Sequence, residues 1–226
     1  MLIALAAISL LAVVVLPQLW VRRTFDKHAL DRADIPGTGG ELARHLLDRF
    51  SLQHVAVELT ERGDHYDPVG KAVRLSDKNL SGRSLTAVAV AAHEVSHALQ
   101  DARSERLLAV WQQLARLAAT TDRAAGLFFV AAPVLALIAR TPAAMIALVL
   151  IGIALLSVRV VVTLVTLPVE FDASFSKALP ILQHGAYVSA ADLPAVRSVL
   201  RAAAFTYLAA ALISLVNLAR WVRLLR

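Results

Sequence analysis

The chain contains no cysteine, which excludes a disulfide framework and any thiolate metal site, so a transition metal would have to be held by histidine and carboxylate alone. Charge is also scarce. Asp, Glu, Lys and Arg make up 18% of the 226 residues, 58% are hydrophobic, and the mean hydropathy is +0.64. That is far more apolar than an ordinary soluble domain and predicts a membrane protein. Aromatic residues account for only 6% and are not interleaved with Lys and Arg as base stacking requires. The net charge of +6 therefore does not imply a nucleic-acid partner. No internal repeat or low-complexity linker is present.

What the chain has in abundance is long apolar runs. Four read as membrane spans by length and composition: Leu2 to Trp20, Ala124 to Ile138, Ala143 to Leu167, and about Ala202 to Leu218. The first carries no Lys or Arg before its apolar run and no small-residue cleavage pattern, so an uncleaved anchor is expected rather than a signal peptide. The second and third form a hairpin around Arg140-Thr141-Pro142. Most Lys and Arg fall between Val21 and Arg123 or between Glu170 and Arg201, which by the positive-inside bias puts both stretches in the cytoplasm. The terminal Arg220, Arg223 and Arg226 conflict with that bias if the last run spans, so it is either an exception or an interfacial helix.

The polar stretch has a readable order. Glu41 to Leu47, after Thr38-Gly39-Gly40, has apolar residues at helical spacing. His54 to Leu59 alternates like a strand, and Asp67-Pro68-Val69-Gly70 is turn chemistry leading into the strand Ala72 to Ser76. From Leu85 to about Ala118 there is neither Pro nor Gly, which predicts one long helix.

That helix carries His93-Glu94-Val95-Ser96-His97. Positions four apart share a helical face, so the two imidazoles converge on one point, and Glu94 is turned aside enough to reach a metal-bound water. Such a pair suits zinc, which wants a third protein ligand and one open position for water. Glu170, where the third apolar run emerges on the same side, is the expected third ligand, with Asp172 its close rival. A carboxylate two residues along a regular helix points about 200° away, so both cannot bind unless the chain near Pro168 is irregular. His65 and Tyr66 lie in the loop before the turn and are candidate donors to the oxyanion of a tetrahedral intermediate, a plain loop being the other reading. Asp101, one turn after His97, is either an orienting acid for that imidazole or a solvated one. Arg159, in an apolar stretch, would share a helical face with Glu170 three turns on, the other reading being that it marks the cytoplasmic boundary. His28, His45, His54 and His184 have no partner at ligand spacing.

Through Asp64-His65-Tyr66-Asp67-Pro68, Val73-Arg74-Leu75-Ser76, Ala91 to Gln100 and Leu167 to Ser174, the chain resembles the neutral zinc metallopeptidases of bacterial membranes, the YugP-like group. The resemblance covers most of the sequence. It implies kinship with gluzincins such as the HtpX-like proteases, in which two helix histidines and a downstream glutamate bind zinc and an aspartate one turn later supports the first histidine. Ser174 occupies that last position here.

The expectation is therefore a mainly α, multi-pass protein of the bacterial inner membrane, with a zincin-like metallopeptidase core and a small edge β-sheet. Its segments would be an anchor at 1–20, a metallopeptidase domain at 21–123, a transmembrane hairpin at 124–167, a second cytoplasmic segment at 168–201 bearing the third ligand, and a spanning or interfacial helix with a basic tail at 202–226. Its function would be endopeptidase cleavage of membrane or membrane-proximal proteins, with one zinc ion, His93, His97 and Glu170 as ligands, and Glu94 as general base. The strand near Val73 to Leu75 would hold a protein or peptide substrate by β-addition. A catalytically inactive metal-binding scaffold and a transporter or proton-relay protein are the rival classes. Oligomeric state and natural substrate are not legible.

Overall fold

The structure is a computed structural model that describes residues 2–139 and 141–224. The hairpin residue Arg140 and the terminal Arg226 lie outside the described residues. Eight α-helices are described: α1 (Leu2–Lys27), α2 (Gly39–Arg49), α3 (Asp77–Ser81), α4 (Leu85–Ala102), α5 (Arg106–Ala139), α6 (Pro142–Phe171), α7 (Leu179–His184) and α8 (Leu193–Leu224). A π-helix, Asp172–Ala178, joins α6 to α7, and a 3-10 turn, Ala190–Asp192, precedes α8. Three short strands, β1 (Ala56–Leu59), β2 (His65–Asp67) and β3 (Ala72–Leu75), form a sheet of order β1-β3-β2.

The chain divides into two compact units. One comprises Trp20–Ala109 and Pro168–Phe205, the other Met1–Leu19, Val110–Leu167 and Thr206–Arg226. The first holds a core built on α4, in which every residue from Leu85 to Gln100 is buried. A helix apolar on all sides must be enclosed on all sides, and here Leu46, Leu47, Val73, Leu75, Leu182, Val196 and Leu200 surround it. Small residues let backbones approach closely. A side-chain carbon at Gly39 would lie 2.1 Å from the Asn79 carbonyl oxygen and 2.8 Å from that of Ala87. Thr38 caps α2 reciprocally with Glu41: the Thr38 hydroxyl accepts from the Glu41 N–H at 3.1 Å and the Glu41 carboxylate from the Thr38 N–H at 2.8 Å.

Three expectations need correction. The multi-pass architecture is the first. Among the described residues, one helical run, Pro142–His184, is long and apolar enough to cross a membrane, its most apolar 18-residue window having a mean hydropathy of 2.8. The other apolar runs are parts of longer helices that also carry charge. α5 begins at Arg106 and includes Arg116, Asp122 and Arg123 before its apolar half, and α8 includes Arg197 and Arg201. The run from 124 to 138 is also shorter than the ~20 residues a helical span needs. In the second unit, large apolar side chains of α5 and α6, among them Leu127, Val130, Ile138 and Ile146, are exposed.

The second correction is that the helix bearing the two histidines stops at Ala102 instead of running to 118. Ser104 adopts φ +50, its N–H donates to the Asp101 carbonyl at 2.9 Å, and the Glu105 N–H donates to the Gln100 carbonyl at 3.1 Å. This pair of bonds is a Schellman ending with serine at the left-handed position. The same pattern closes α2 at Ser51 (φ 60) and α7 at Ala186 (φ 51), and none of the three sites carries the glycine that would have signalled it. The third is the sheet. β3 is its central strand, parallel to β1 and antiparallel to β2, so its hydrogen-bonding edges are occupied and β-addition at Val73 to Leu75 is excluded. The free edges belong to β1 and β2, and His65 and Tyr66 are strand residues, not loop residues.

A left-handed residue with a side-chain carbon costs about 1–2 kcal/mol, partly offset because glycine loses about 0.5–1 kcal/mol of extra chain entropy on folding. Ala186→Gly should accordingly raise the unfolding free energy by roughly 0.5–1 kcal/mol, seen as a higher denaturant midpoint with unchanged slope; a lowered midpoint would contradict the assigned ending of α7.

Candidate metal centre

His93 and His97, one turn apart on α4, present their rings edge to face with centroids 4.8 Å apart. Glu170, at the end of α6, brings Oε2 to 3.4 Å from His93 Nε2 and 3.3 Å from His97 Nε2. All three are buried, Glu170 to 2% exposure, and their donor atoms lie within 4.8 Å of one another. Neither oxygen of Glu170 has a hydrogen-bond partner. A carboxylate stripped of water and faced by two imidazole nitrogens at 3.3–3.4 Å needs a positive charge to balance it, which a proton on His97 or a cation held among the three groups would supply. The spacing also fits. Ligands about 2.0–2.1 Å from a tetrahedral zinc stand ~3.3–3.4 Å apart. The chemistry of this donor set and the two distances from Glu170 to the imidazoles thus suit zinc.

Ser174 stands one turn beyond Glu170 in the π-helix. Its hydroxyl donates to the Leu200 carbonyl at 3.0 Å, and its Oγ lies 3.0 Å from His93 Nδ1. With its single hydrogen committed, Oγ can only accept from the imidazole, so Nδ1 carries the proton and Nε2 keeps its lone pair for the metal side. A serine performs here the support for which the resemblance implies an aspartate. π-Helical turns are uncommon and recur at functional sites; this one follows directly on Glu170 and Pro168, which lacks the N–H an α-helical bond would use there.

Glu94 is buried beside the histidines and is absent from the donor cluster. Burial pushes its carboxyl up to about 8; the negative charges of Asp64 and Glu170 add to that rise, and His97 and the Tyr66 backbone oppose it. Burial likewise lowers His93. On His97 burial acts downward too, but the adjacent Glu170 carboxylate, with Glu94, outweighs it and lifts the imidazole to about 9.

The other expected residues fall elsewhere. His97 Nδ1 meets Gln100 Oε1 at 2.8 Å, and Asp101 is not its partner. Asp101 instead accepts from the Tyr66 hydroxyl at 2.6 Å and from Lys71 at 2.5 Å. Tyr66 is thereby anchored in β2 by its ring oxygen, and His65 pairs its Nδ1 with the Gly63 carbonyl at 2.8 Å. Asp172 Oδ2 is taken by Gln100 Nε2 at 2.8 Å and by Lys177, so it is a hydrogen-bonded neighbour of the centre and lies outside the cluster of donor atoms. Asp64 accepts from the Ser76 N–H, the Ser76 hydroxyl and Asn79 at 2.7–2.9 Å, fixing the turn from β3 into α3. Gln100 had no assigned role in the sequence; its one signal was its position one turn after His97.

A helix histidine pair completed by a distant glutamate, with a non-ligating glutamate inside the pair, defines a zinc-peptidase type of centre. Comparison with known proteins agrees. Residues 3–226 match the family described as "Putative neutral zinc metallopeptidase", and the chain belongs to that family. It is also similar to the "Putative membrane protease YugP" of Bacillus subtilis (strain 168), with 39% identity over 208 residues, 91% of this chain and 88% of that protein. No solved structure matches. The relative's description and the apolar run Pro142–His184 together indicate membrane association.

Ser174→Ala should leave the buried His93 Nδ1–H without an acceptor. That costs about 1–3 kcal/mol, and thermal unfolding of the metal-free protein should show a lower midpoint; an unchanged midpoint would mean that the Ser174 bond to His93 contributes nothing.

Proposed function

We propose that the protein is a zinc-dependent endopeptidase acting on membrane or membrane-proximal proteins, with His93, His97 and Glu170 holding the ion and Glu94 as general base. The observation that carries this reading is the buried Glu170 carboxylate facing two imidazole nitrogens, with a second buried acid, Glu94, beside it. When bound, zinc supplies a Lewis acid that polarises the scissile carbonyl and lowers the pKa of water towards neutrality.

The chain's own groups do the rest. Glu94, buried beside the histidines and outside the donor cluster, accepts a proton from the attacking water and returns it to the leaving amine. Ser174 holds the His93 ring in the tautomer that faces the ion. Because Lys and Arg crowd residues 21–123 and 170–201, the catalytic unit faces the cytoplasm. A metal-holding scaffold would need no buried carboxyl outside the donor cluster, and a transporter would place its ionisable groups in mid-span, whereas His93, Glu94 and His97 lie on α4 and Glu170 lies at the last turn of α6.

Two experiments test the assignment. Glu94→Gln should bind one zinc per chain and lose on the order of a hundredfold or more of casein-type hydrolysis; normal turnover would remove the mechanism. Glu170→Ala should lose both zinc and cleavage while Asp172→Ala keeps the metal at near-normal stoichiometry. The reverse pattern would exchange the two acids and leave the role of the histidine pair intact.

A further inference from the structure

Gln100 is 1% exposed, and every polar position on its amide is occupied. Nε2 donates to the Val169 carbonyl at 3.1 Å and to Asp172 Oδ2 at 2.8 Å. Both partners are acceptors only, so the amide cannot be turned over. Oε1 must therefore be the atom facing His97 Nδ1 at 2.8 Å, and an amide oxygen can only accept. His97 is held with its proton on Nδ1 and Nε2 directed to Glu170. Behind Gln100, Asp172 is fixed by Lys177, which reaches Glu105 at 3.1 Å. The contacts run unbroken from Glu105 through Lys177, Asp172 and Gln100 to His97.

We propose that Gln100 is the positioning residue of the metal centre: it sets the tautomer and ring orientation of His97, and through the Val169 carbonyl it ties α4 to the segment that delivers Glu170. The Asp172–Lys177 pair keeps the amide in that orientation. The inference rests on the reading that His97 and Glu170 hold the ion. It treats Gln100 as the counterpart, for the second imidazole, of Ser174 for the first. A packing role alone would be satisfied by any side chain of similar volume, and the two possibilities separate on metal binding.

The test uses the full-length, metal-stripped protein in detergent micelles. Zinc affinity is measured by competition with a chelator, the visible spectrum is recorded after loading with cobalt, and the unfolding midpoint of the metal-free form is followed in parallel. Gln100→Leu, which keeps volume and loses all three bonds, should weaken zinc binding 10- to 100-fold, the usual effect of losing a partner of a metal-bound histidine, and should shift the cobalt ligand-field bands. Unchanged affinity with an unchanged spectrum would overturn the proposal. Gln100→Glu retains the acceptor for His97 and sets a second carboxylate against Asp172, so it should also weaken binding. Adding Asp172→Asn restores a donor and acceptor pair in reverse order and should recover affinity by at least tenfold. If Gln100→Leu does not fold, this swap decides, and a double variant no better than Gln100→Glu would defeat the positioning role. His97→Ala is the control for the underlying reading: zinc affinity undiminished there would show that the ion is not held by His97, a failure of the metal site and not of Gln100 alone.

Discussion

A carboxylate buried to 2% exposure with both oxygens unbonded is the constraint on which the first unit depends. Leaving such a group uncompensated would cost several kcal/mol, comparable to the whole stability of many domains. Two imidazole nitrogens lie 3.4 and 3.3 Å away, and a cation held among the three groups would balance the buried charge. Much else follows from keeping this cluster dry. α4 is enclosed on every side, and its alanines admit backbones where larger residues would not fit. The close approach of Gly39 to the Ala87 carbonyl shows how little room remains.

Excluding water strengthens every electrostatic contact in the interior, so the groups behind the ligands have to be right in donor and acceptor sense as well as in shape. His93 is served by Ser174, whose hydrogen is committed to Leu200 near the start of α8. His97 is served by Gln100, whose hydrogens are committed to Val169 and Asp172. The candidate centre thus draws its donor atoms from α4 and α6 and the groups that hydrogen-bond them from α4, the π-helix and α8, segments far apart in sequence that no local rule would bring together.

This explains which features were legible in the sequence. The spacing of His93 and His97 is a local geometric fact, and the need for one more oxygen donor in a chain without cysteine led to Glu170. α2 was readable from its apolar spacing. The ending of α4 was not, because a serine, not the glycine that would mark such a position, takes the left-handed conformation at residue 104. β2 is three residues long and is defined by its partner, so it looked like a loop; the placement of β3 between two strands was equally a tertiary outcome. Pro168 signals that the chain near it could be irregular, but the π-helix itself has no sequence signature, and the angles of a regular helix do not hold across Asp172 to Ser174. The multi-pass expectation failed for a related reason: apolar runs were read in isolation, whereas α5 and α8 are longer helices with charged turns in the same element.

The position of the supporting charge distinguishes this centre from the gluzincin pattern it otherwise follows. The resemblance implies an aspartate behind the first histidine, and a carboxylate there would sit in direct contact with a metal-bound imidazole, making it more basic. Here that place is filled by neutral Ser174, which could not be exchanged for an ionised acid without setting a negative charge against the Leu200 carbonyl. The nearby carboxylate is Asp172, on the other side, separated from His97 by the amide of Gln100 and balanced by Lys177. Both imidazoles therefore meet neutral acceptors, and the negative charge that holds the second of them is kept one residue further out, where Lys177 offsets it. The result is a cluster in which, among the described residues, Glu94 and Glu170 are the buried acids beside the two imidazoles, while Asp172 stands outside it with its charge balanced by Lys177.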